Sequence, residues 1–347
     1  MLTKAFARVK LSHTPTPLER LDNLSDDYAT NIWLKRDDCT GLAFGGNKSR
    51  QLEFYIGHAK SLGADTLLTS GAVQSNHVRM TVAAARKMNL DVEVQLEHRV
   101  DRHQPEYRQS GNPFLIRLMK AKVRYYTPDE NADDADNADQ VMMNRAVELK
   151  AAGKVPYVIP LSDTRTAYGA LGYVDAAEET LQQLAGLKMT PRRFFLPTGS
   201  ASTQAGFLLG LLASGCRTPV QGICVRRDAK QQQKRVINKI DAVIKLMALN
   251  TRVDNEQIIC DDRFLAPGYG QINLATRTAI ETLAMREGIL LDPTYSGKAF
   301  AALLDALQAG DYGKQDHIVF LHTGGTPSLF GYPELVRDHD SEYHEVL

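Results

Sequence analysis

The sequence has few cysteines, no excess of charge of either sign and no long apolar run. Four cysteines occur in 347 residues without a C-x-x-C pair, which argues against a zinc ribbon or a disulfide scaffold. Lysine plus arginine equals aspartate plus glutamate at 41 each, so the basic surface of a nucleic-acid binder is not expected. The longest apolar run, residues 205–213, is about half of the ~20 residues that span a membrane. With no signal-peptide core near the start, we expect a cytoplasmic protein without nucleic-acid or membrane partners.

A metal site is not expected either. The acidic run at 129–140 lacks the glycine and glutamate that an EF-hand loop needs at its sixth and twelfth positions. His98 and His103 are too isolated to form a ligand set.

The sequence does contain apolar runs of strand length that alternate with helical patterns. Strand-like runs lie at 31–37, 65–71, 92–97, 123–127, 156–160, 193–197, 220–225 and 317–325. Helical patterns lie at 49–63, 78–90, 138–153, 169–186 and 234–249, and Gly63 and Gly153 follow two of them as expected helix ends. Such alternation predicts an α/β protein with parallel sheets and crossover helices.

Polar residues follow three of these strands, at the edge where α/β proteins bind ligands. Gln74, Ser75, Asn76 and His77 precede a predicted helix, whose N-terminus suits a carboxylate, although an ordinary helix cap explains them as well. Residues 198–203, Thr-Gly-Ser-Ala-Ser-Thr, precede an apolar helix and favour phosphate binding. The run His-Thr-Gly-Gly at 322–325 indicates close backbone approach or a tight turn.

The stretch GLAFGGNKSRQ at 41–51 resembles a P-loop with one extra residue before the lysine. Its spacing is wrong for a nucleotide site, and a better phosphate loop lies at 198–203. Lys48 is therefore interpreted as a reacting amine that forms a Schiff base with a carbonyl cofactor such as pyridoxal phosphate. A kinase-like nucleotide binder and a non-catalytic small-molecule binder stay open as alternatives.

Six motifs in order resemble the D-cysteine desulfhydrase and 1-aminocyclopropane-1-carboxylate (ACC) deaminase family of pyridoxal-phosphate enzymes. They are GGNKSRQLEF (45–54), QSNH (74–77), TGSAST (198–203), PGYG (267–270), LLDPTYSGK (290–298) and FLHTGG (320–325). HTPTPLERL (13–21) and KRDDCTGL (35–42) are most similar to the L-cysteate sulfo-lyase branch.

The resemblance implies a two-lobed α/β fold, fold type II, with parallel-rich open twisted sheets and helices on both faces. The large cofactor-binding domain would combine residues 1–46 with 164–347, the small domain would be 47–163, and the chain would form a homodimer.

The resemblance also implies roles at the matching positions. Lys48 would bind the cofactor covalently, and Asn76 would contact its phenolic oxygen. Thr323 would meet the pyridine nitrogen, while Tyr269 and Tyr295 would face the substrate. The cofactor phosphate would lie in the loop formed by Thr198, Gly199, Ser200, Ala201, Ser202 and Thr203. The substrate carboxylate would be received by Gln74, Ser75, Asn76 and His77.

The residue types favour β-elimination of a 3-substituted alanine such as D-cysteine or L-cysteate. ACC deaminases carry a glutamate after the second tyrosine and a leucine in the H-x-GG motif, where this chain has Ser296 and Thr323. A hydroxyl cannot hold a proton on the pyridine nitrogen, so the ring is a milder electron sink, which suits prompt loss of a β-substituent. Lys48 would take the α-proton, with Ser75 as the rival base. ACC deaminase and amino-acid racemase remain alternatives.

The chain departs from the family pattern at two places. Leu-Ser-Asp-Thr-Arg at 161–165 replaces a glycine-rich turn, and we hypothesise that Arg165 points inward and binds an anionic substrate side chain. Ser202 stands where relatives usually have glycine, a change that still permits phosphate binding.

Overall fold

The computed structural model describes residues 2–126, 134–161 and 167–336, which form two β-sheets with helices packed around them. The strands are β1 (Leu18–Arg20), β2 (Asn31–Arg36), β3 (Thr66–Ala72), β4 (Asp91–Glu97), β5 (Lys122–Tyr126), β6 (Pro156–Val158), β7 (Arg193–Thr198), β8 (Val220–Cys224), β9 (Ile258–Asp261) and β10 (His317–His322). The helices are α1 (Asp22–Asp27), α2 (Lys48–Ser61), α3 (Asn76–Lys87), α4 (Pro105–Gln109), α5 (Asn112–Leu118), α6 (Asp134–Ala151), α7 (Tyr168–Gly186), α8 (Ser202–Ala213), α9 (Ala229–Met247), α10 (Leu274–Glu287) and α11 (Ser296–Gln308).

The larger sheet has six strands in the order β1-β2-β10-β7-β8-β9, and the smaller has four in the order β5-β4-β3-β6. Every neighbouring pair is parallel except β1 and β2, which are antiparallel. Strands β3, β7 and β8 are buried along almost their whole length, as expected for parallel sheets covered on both faces. The predicted α/β class is confirmed.

The eight strands predicted from the sequence are all present, within a few residues at each end. The pattern missed β1 and β9, which are short edge strands of 3 and 4 residues. It also missed the helices α1, α4, α5, α10 and α11. Helices α1, α4 and α5 are only 5 to 7 residues long, and α11 is buried on nearly every side.

Glycines allow the central helices to pack with their backbones nearly in contact. A Cβ atom on Gly206 of α8 would lie 2.1 Å from the carbonyl oxygen of Ala170 in α7. A Cβ atom on Gly172 of α7 would lie 2.3 Å from the carbonyl oxygen of Arg50 in α2. Helix α7 therefore fixes the position of α2, whose first residue is Lys48.

A buried ion cluster joins the start of α2 to the larger sheet. The Arg50 guanidinium donates to both carboxylate oxygens of Asp37 at 2.9 Å and to those of Glu179 at 2.8 and 2.9 Å. The Tyr173 hydroxyl donates to Asp37 at 2.5 Å, and Lys35 donates to Glu179 at the same distance. Because Arg50 and Asp37 are only 2% and 1% exposed, loss of one partner would leave a charge buried without compensation.

Within the described parts of the chain, no helix is both long enough and apolar enough to cross a membrane.

Candidate active site

Lys48 stands at the start of α2, directly after a loop that requires glycine. Gly45 and Gly46 have φ angles of +65° and +127°, and a Cβ atom on Gly45 would lie 1.9 Å from the carbonyl oxygen of Asp38. The Gly46 N–H donates to the Thr40 hydroxyl at 2.7 Å and to the Asp37 carbonyl oxygen at 3.0 Å. The loop thus fixes the position of Lys48 at the first residue of α2. Burial lowers the pKa of the Lys48 amine from 10.5 to about 8.

Lys48 lines two adjoining cavities. The inner cavity has a volume of about 50 Å³ and the outer one about 100 Å³. Both are lined by Lys48, His77, Gly199, Ser200 and Tyr295. The inner cavity is further lined by the predicted residues Asn76, Thr198, Ala201, Thr203 and Thr323. The outer cavity is further lined by Ser75, Ser202 and Tyr269.

The loop between β7 and α8, which the sequence predicts to bind phosphate, lines the inner cavity together with Lys48. Ala201 adopts the left-handed conformation with a φ of +70°, and the 12-residue helix α8 begins at Ser202. The Thr203 hydroxyl oxygen accepts hydrogen bonds from Asn47 at 2.9 Å and Gln51 at 3.0 Å, so its own proton is left to donate. Hydroxyl groups beside a helix N-terminus suit a phosphate.

The N-terminus of α3 also lines the cavities that contain Lys48. The Ser75 hydroxyl caps the helix by accepting from the Val78 N–H at 3.2 Å. The Asn76 side-chain oxygen accepts from Arg79 at 3.0 Å and from Asn112 at 2.9 Å, so its NH₂ group is left as the donor. The amide orientation of Asn76 is therefore set by its protein neighbours.

Hydrogen bonding also assigns the tautomer of His77. Thr69 donates its only hydroxyl proton to the Ile159 carbonyl oxygen at 3.1 Å, so it accepts from Nε2 of His77 at 2.9 Å. Burial, reinforced by the charge of Lys48, lowers the pKa of His77 to about 3. The imidazole is thus neutral, with Nδ1 as an acceptor.

One predicted substrate residue, Gln74, is described by the structure and does not line the cavities. Gln74 is 5% exposed, and its side-chain nitrogen donates to the carbonyl oxygens of Tyr107 at 2.7 Å and Ser110 at 3.0 Å. Its side-chain oxygen accepts from the Asn112 N–H at 3.1 Å. The Gln74 amide therefore supports the loop behind α3 instead of facing the substrate space. Arg165 lies outside the described residues.

The two predicted tyrosines meet across the outer cavity. Their hydroxyl oxygens are 2.6 Å apart, and burial raises the pKa of Tyr295. Buried Asp292 anchors this segment by accepting from the main-chain N–H groups of Thr294, Tyr295 and Ser296 at 2.7 to 3.0 Å. Asp292 was not predicted from the sequence, because an aspartate before a helix has the pattern of a common cap.

The glycine doublet after β10 packs against the lysine loop. A Cβ atom on Gly324 would lie 2.7 Å from Cα of Gly46, and one on Gly325 would lie 2.7 Å from the Asp292 side chain. The Thr323 carbonyl oxygen accepts from the Asn47 N–H at 3.0 Å. Glycine is needed here for close approach, and the packing brings buried Thr323 to the inner cavity beside Lys48.

A set of basic side chains that line the outer cavity was not predicted from the sequence: Arg99, Arg226, Arg227, Arg235 and Lys239. Arg226 and Arg227 lie just beyond β8, after Val225, and Arg235 and Lys239 are four residues apart on α9. The paired arginines at a strand end were a usable signal, since this is the same sheet edge that carries the other loops. No cluster of metal-ligating side chains occurs among the described residues.

Comparison with known proteins agrees with this geometry. A family model described as "Pyridoxal-phosphate dependent enzyme" matches residues 9–324. Curated relatives named D-cysteine desulfhydrase are 40% identical, from Salmonella paratyphi C (strain RKS4594) over 330 residues and from Klebsiella pneumoniae (strain 342) over 327. Each alignment covers 94% of this chain and 96% of the relative. A crystal structure titled as an ACC deaminase homologue superposes with a TM-score of 0.83 at 35% identity, covering 96% of this chain and 97% of that one.

The chain belongs to the pyridoxal-phosphate dependent enzyme family, and its cofactor is pyridoxal phosphate. The residues present fit that group, because the inner cavity combines a lysine amine of lowered pKa, small and hydroxyl residues at the start of α8, and the oriented amide donor of Asn76.

Proposed function

We propose that this enzyme is a lyase that removes the β-substituent of a 3-substituted alanine of the cysteine type. The observation that carries the proposal is the position of Lys48, which lines the same cavities as the loop before α8 and the N-terminus of α3. For cysteine, the reaction is cysteine plus water giving pyruvate, ammonium and hydrogen sulfide. The 40% identity to relatives named D-cysteine desulfhydrase supports the same chemistry.

The cofactor, when bound, withdraws electrons from the α-carbon of the amino acid attached to it. Lys48 would hold it covalently, and the Asn76 amide would donate to its phenolic oxygen. Buried Thr323 would lie at its pyridine nitrogen. The phosphate would be held by the loop residues Thr198, Gly199, Ser200, Ala201, Ser202 and Thr203.

Lys48 is the base we assign to the α-proton. A pKa of about 8 leaves far more neutral amine at pH 7 to 8 than the ordinary value of 10.5 does. Ser75 is the rival base. Its oxygen already accepts the Val78 N–H, which favours a role for the hydroxyl as a donor to substrate.

The substrate carboxylate would bind at the N-terminus of α3. The main-chain N–H groups of Asn76 and His77 and the Ser75 hydroxyl are the donors there, with the positive end of the helix dipole. The neutral imidazole of His77 adds no positive charge and its Nδ1 is an acceptor, so the side chain would accept a hydrogen bond from an N–H or O–H group of the substrate and would not bind the carboxylate. Gln74 takes part only by supporting the loop.

Ring opening of ACC is less well supported. Ser296, the residue after the second tyrosine, donates to Asp292 at 2.7 Å and is fully buried, so that position offers no carboxylate to the cavity.

Reduction of the purified yellow enzyme with borohydride tests the assignment of Lys48. Absorbance at about 410 nm should disappear, and peptide mass spectrometry should find the reduced cofactor on Lys48. A panel of D-cysteine, L-cysteate, ACC and D-serine should give pyruvate from substituted alanines. Formation of 2-oxobutanoate from ACC alone would instead identify a deaminase, and cofactor on another lysine would contradict the site.

We further propose a homodimer, a cytoplasmic location and a division into lobes of residues 1–46 with 164–347 and 47–163. Exposed Phe44, Phe114 and Phe330 line one apolar groove of about 670 Å³, which supports association. The four cysteines are free thiols, which suits a reducing compartment. All four strands of the smaller sheet lie between residues 66 and 158, which supports the division. Light scattering tests the homodimer, and limited proteolysis tests the division into lobes.

A further inference from the structure

Helix α11 carries a buried lysine, Lys298, in its first turn. The side chain is fully buried, and its amine donates to two main-chain carbonyl oxygens, those of Leu265 at 2.6 Å and Gly268 at 2.9 Å. Burial lowers the pKa of this amine to about 8, so most of it is protonated at pH 7. Burying a charged group costs free energy, and an apolar side chain of the same length would fill the space without that cost. The position therefore indicates a role for the two hydrogen bonds themselves.

Both carbonyl oxygens belong to the segment 262–273, which joins β9 to α10 and contains Tyr269. All residues of this segment are described, and they form neither helix nor strand. Side chains from other parts of the chain bind its main chain instead. Besides Lys298, the Tyr332 hydroxyl donates to the Gly270 carbonyl oxygen at 3.0 Å. The shape of the segment around Tyr269 thus depends on donors that lie outside it.

Lys298 joins this segment to the end of α11 that carries the second tyrosine. Tyr295 directly precedes α11, and Lys298 follows it by three residues, in the first turn. From there the amine binds the carbonyl oxygen of Gly268, the residue before Tyr269. The hydroxyl oxygens of Tyr269 and Tyr295 are 2.6 Å apart in the outer cavity. The start of one helix therefore holds both members of the tyrosine pair.

We propose that Lys298 is a positioning residue, whose ammonium group holds the segment 262–273 so that Tyr269 meets Tyr295 in the outer cavity. This inference rests on the proposed lyase function, in which the two tyrosines face the substrate. The ammonium group acts as a covalently attached cation with carbonyl oxygens as its partners. Without it, these oxygens lose their donor in a place that Lys298 closes to water. Because an unpaired buried acceptor is unfavourable, the segment would move towards other donors and take Tyr269 with it.

The first test is a double-mutant cycle between Lys298 and Tyr269, measured on the holoenzyme. Lys298→Met keeps the length of the side chain and removes its N–H donors. With the panel compound that gives the most pyruvate, it should lower kcat/KM by about 10- to 100-fold, the range of coupling within one network. In a Tyr269→Phe background the same change should cost less than about threefold, because residues that act through one another are not additive. Equal losses in the two backgrounds, or no loss in either, would overturn the proposal.

The second test is a crystal structure of the Lys298→Met holoenzyme. The two tyrosine hydroxyl oxygens should lie more than ~3.5 Å apart, beyond direct hydrogen bonding. Absorbance at about 410 nm should persist, since the cofactor contacts assigned above do not involve Lys298. A pair still 2.6 Å apart would contradict the proposed role. If Lys298→Met does not fold, Lys298→Gln, which is too short to keep both hydrogen bonds, enters both tests with the same expected results.

Two controls separate this inference from other causes. Leu307→Ala changes a buried residue near the other end of α11; it should destabilise the protein and leave kcat/KM unchanged. The wild-type enzyme tests the lyase function separately. Pyruvate from the wild type, with equal losses in both backgrounds of the cycle, overturns only the role of Lys298. No pyruvate from any compound of the panel refutes the lyase function, while the distance between the tyrosines still decides the role of Lys298.

Discussion

Replacement of Lys48 by methionine should make the apoprotein more stable at neutral pH. Burial lowers the pKa of this amine from 10.5 to about 8, so the folded state disfavours the protonated form that dominates at pH 7. A depression of this size corresponds to about 3 kcal/mol of free energy of unfolding. The penalty is fully present below pH 8 and fades as the pH rises from 8 to 10.5, because the unfolded chain then loses the same proton. Methionine is uncharged and carries no such penalty.

The measurement is chemical denaturation of both apoproteins at several pH values between 7 and 10.5. The difference in free energy of unfolding should favour Lys48→Met by up to about 3 kcal/mol at pH 7 and should shrink towards zero near pH 10.5. Lys298, whose pKa is also lowered to about 8, is present in both proteins, so its titration cancels. His77 stays neutral over this range, since its pKa is about 3. A difference that does not change with pH would refute the argument, because better packing by methionine is independent of pH.

Three further predictions concern residues that hold the site in place. Arg79→Lys should weaken cofactor binding by about tenfold or more, because lysine cannot donate to Asn76, Asn112 and Gly45 together. Fluorescence titration of the apoprotein with the cofactor measures this affinity, and an unchanged affinity would contradict the prediction. Asp292→Asn should lower the free energy of unfolding by about 2 kcal/mol, since an amide nitrogen would face main-chain N–H donors. Asp305→Asn, at an exposed ion pair, is the control. Equal losses of stability in the two variants would contradict the prediction. Ala201→Gly should raise the free energy of unfolding by about 1 kcal/mol, because Ala201 has a φ of +70°; a less stable variant in thermal denaturation would show that the strain is absent.

Strand ends were the part of the fold that the sequence predicted best. Several of the strands are continuous apolar runs, and the loops that follow β3, β7 and β10 contain small or polar residues in place of apolar ones. Parallel strands of one sheet align their carboxyl ends, which accounts for the meeting of the loops after β7 and β10. The loop after β3 belongs to the smaller sheet, and it lines the same cavities beside Lys48 only through the tertiary packing of the two sheets. The sequence therefore indicated which loops to examine, but not how the two sheets bring them together.

The direction in which each side chain points could not be predicted from the sequence. Gln74 and Asn76 are both amides at the start of α3, yet one faces the loop at 107–112 and the other lines the inner cavity. Arg79 lies within α3 and has no local signal, since its importance comes from contacts with Gly45 and Asn112. Such contacts join residues more than 30 positions apart, so they depend on the tertiary fold and not on local pattern.

Arg79 shows why these distant contacts matter for the chemistry. It is fully buried, and burial lowers its pKa to about 9, so it is still protonated at neutral pH. Its guanidinium donates to the Gly45 carbonyl oxygen at 3.0 Å and to the Asn76 side chain at 3.0 Å. One cation thus fixes both the loop that precedes Lys48 and the amide proposed to contact the cofactor ring. Burying the charged Arg79 side chain costs free energy. In return, this one side chain holds both the loop that precedes the reacting amine of Lys48 and the amide of Asn76. Groups that are already in position need no rearrangement during the reaction.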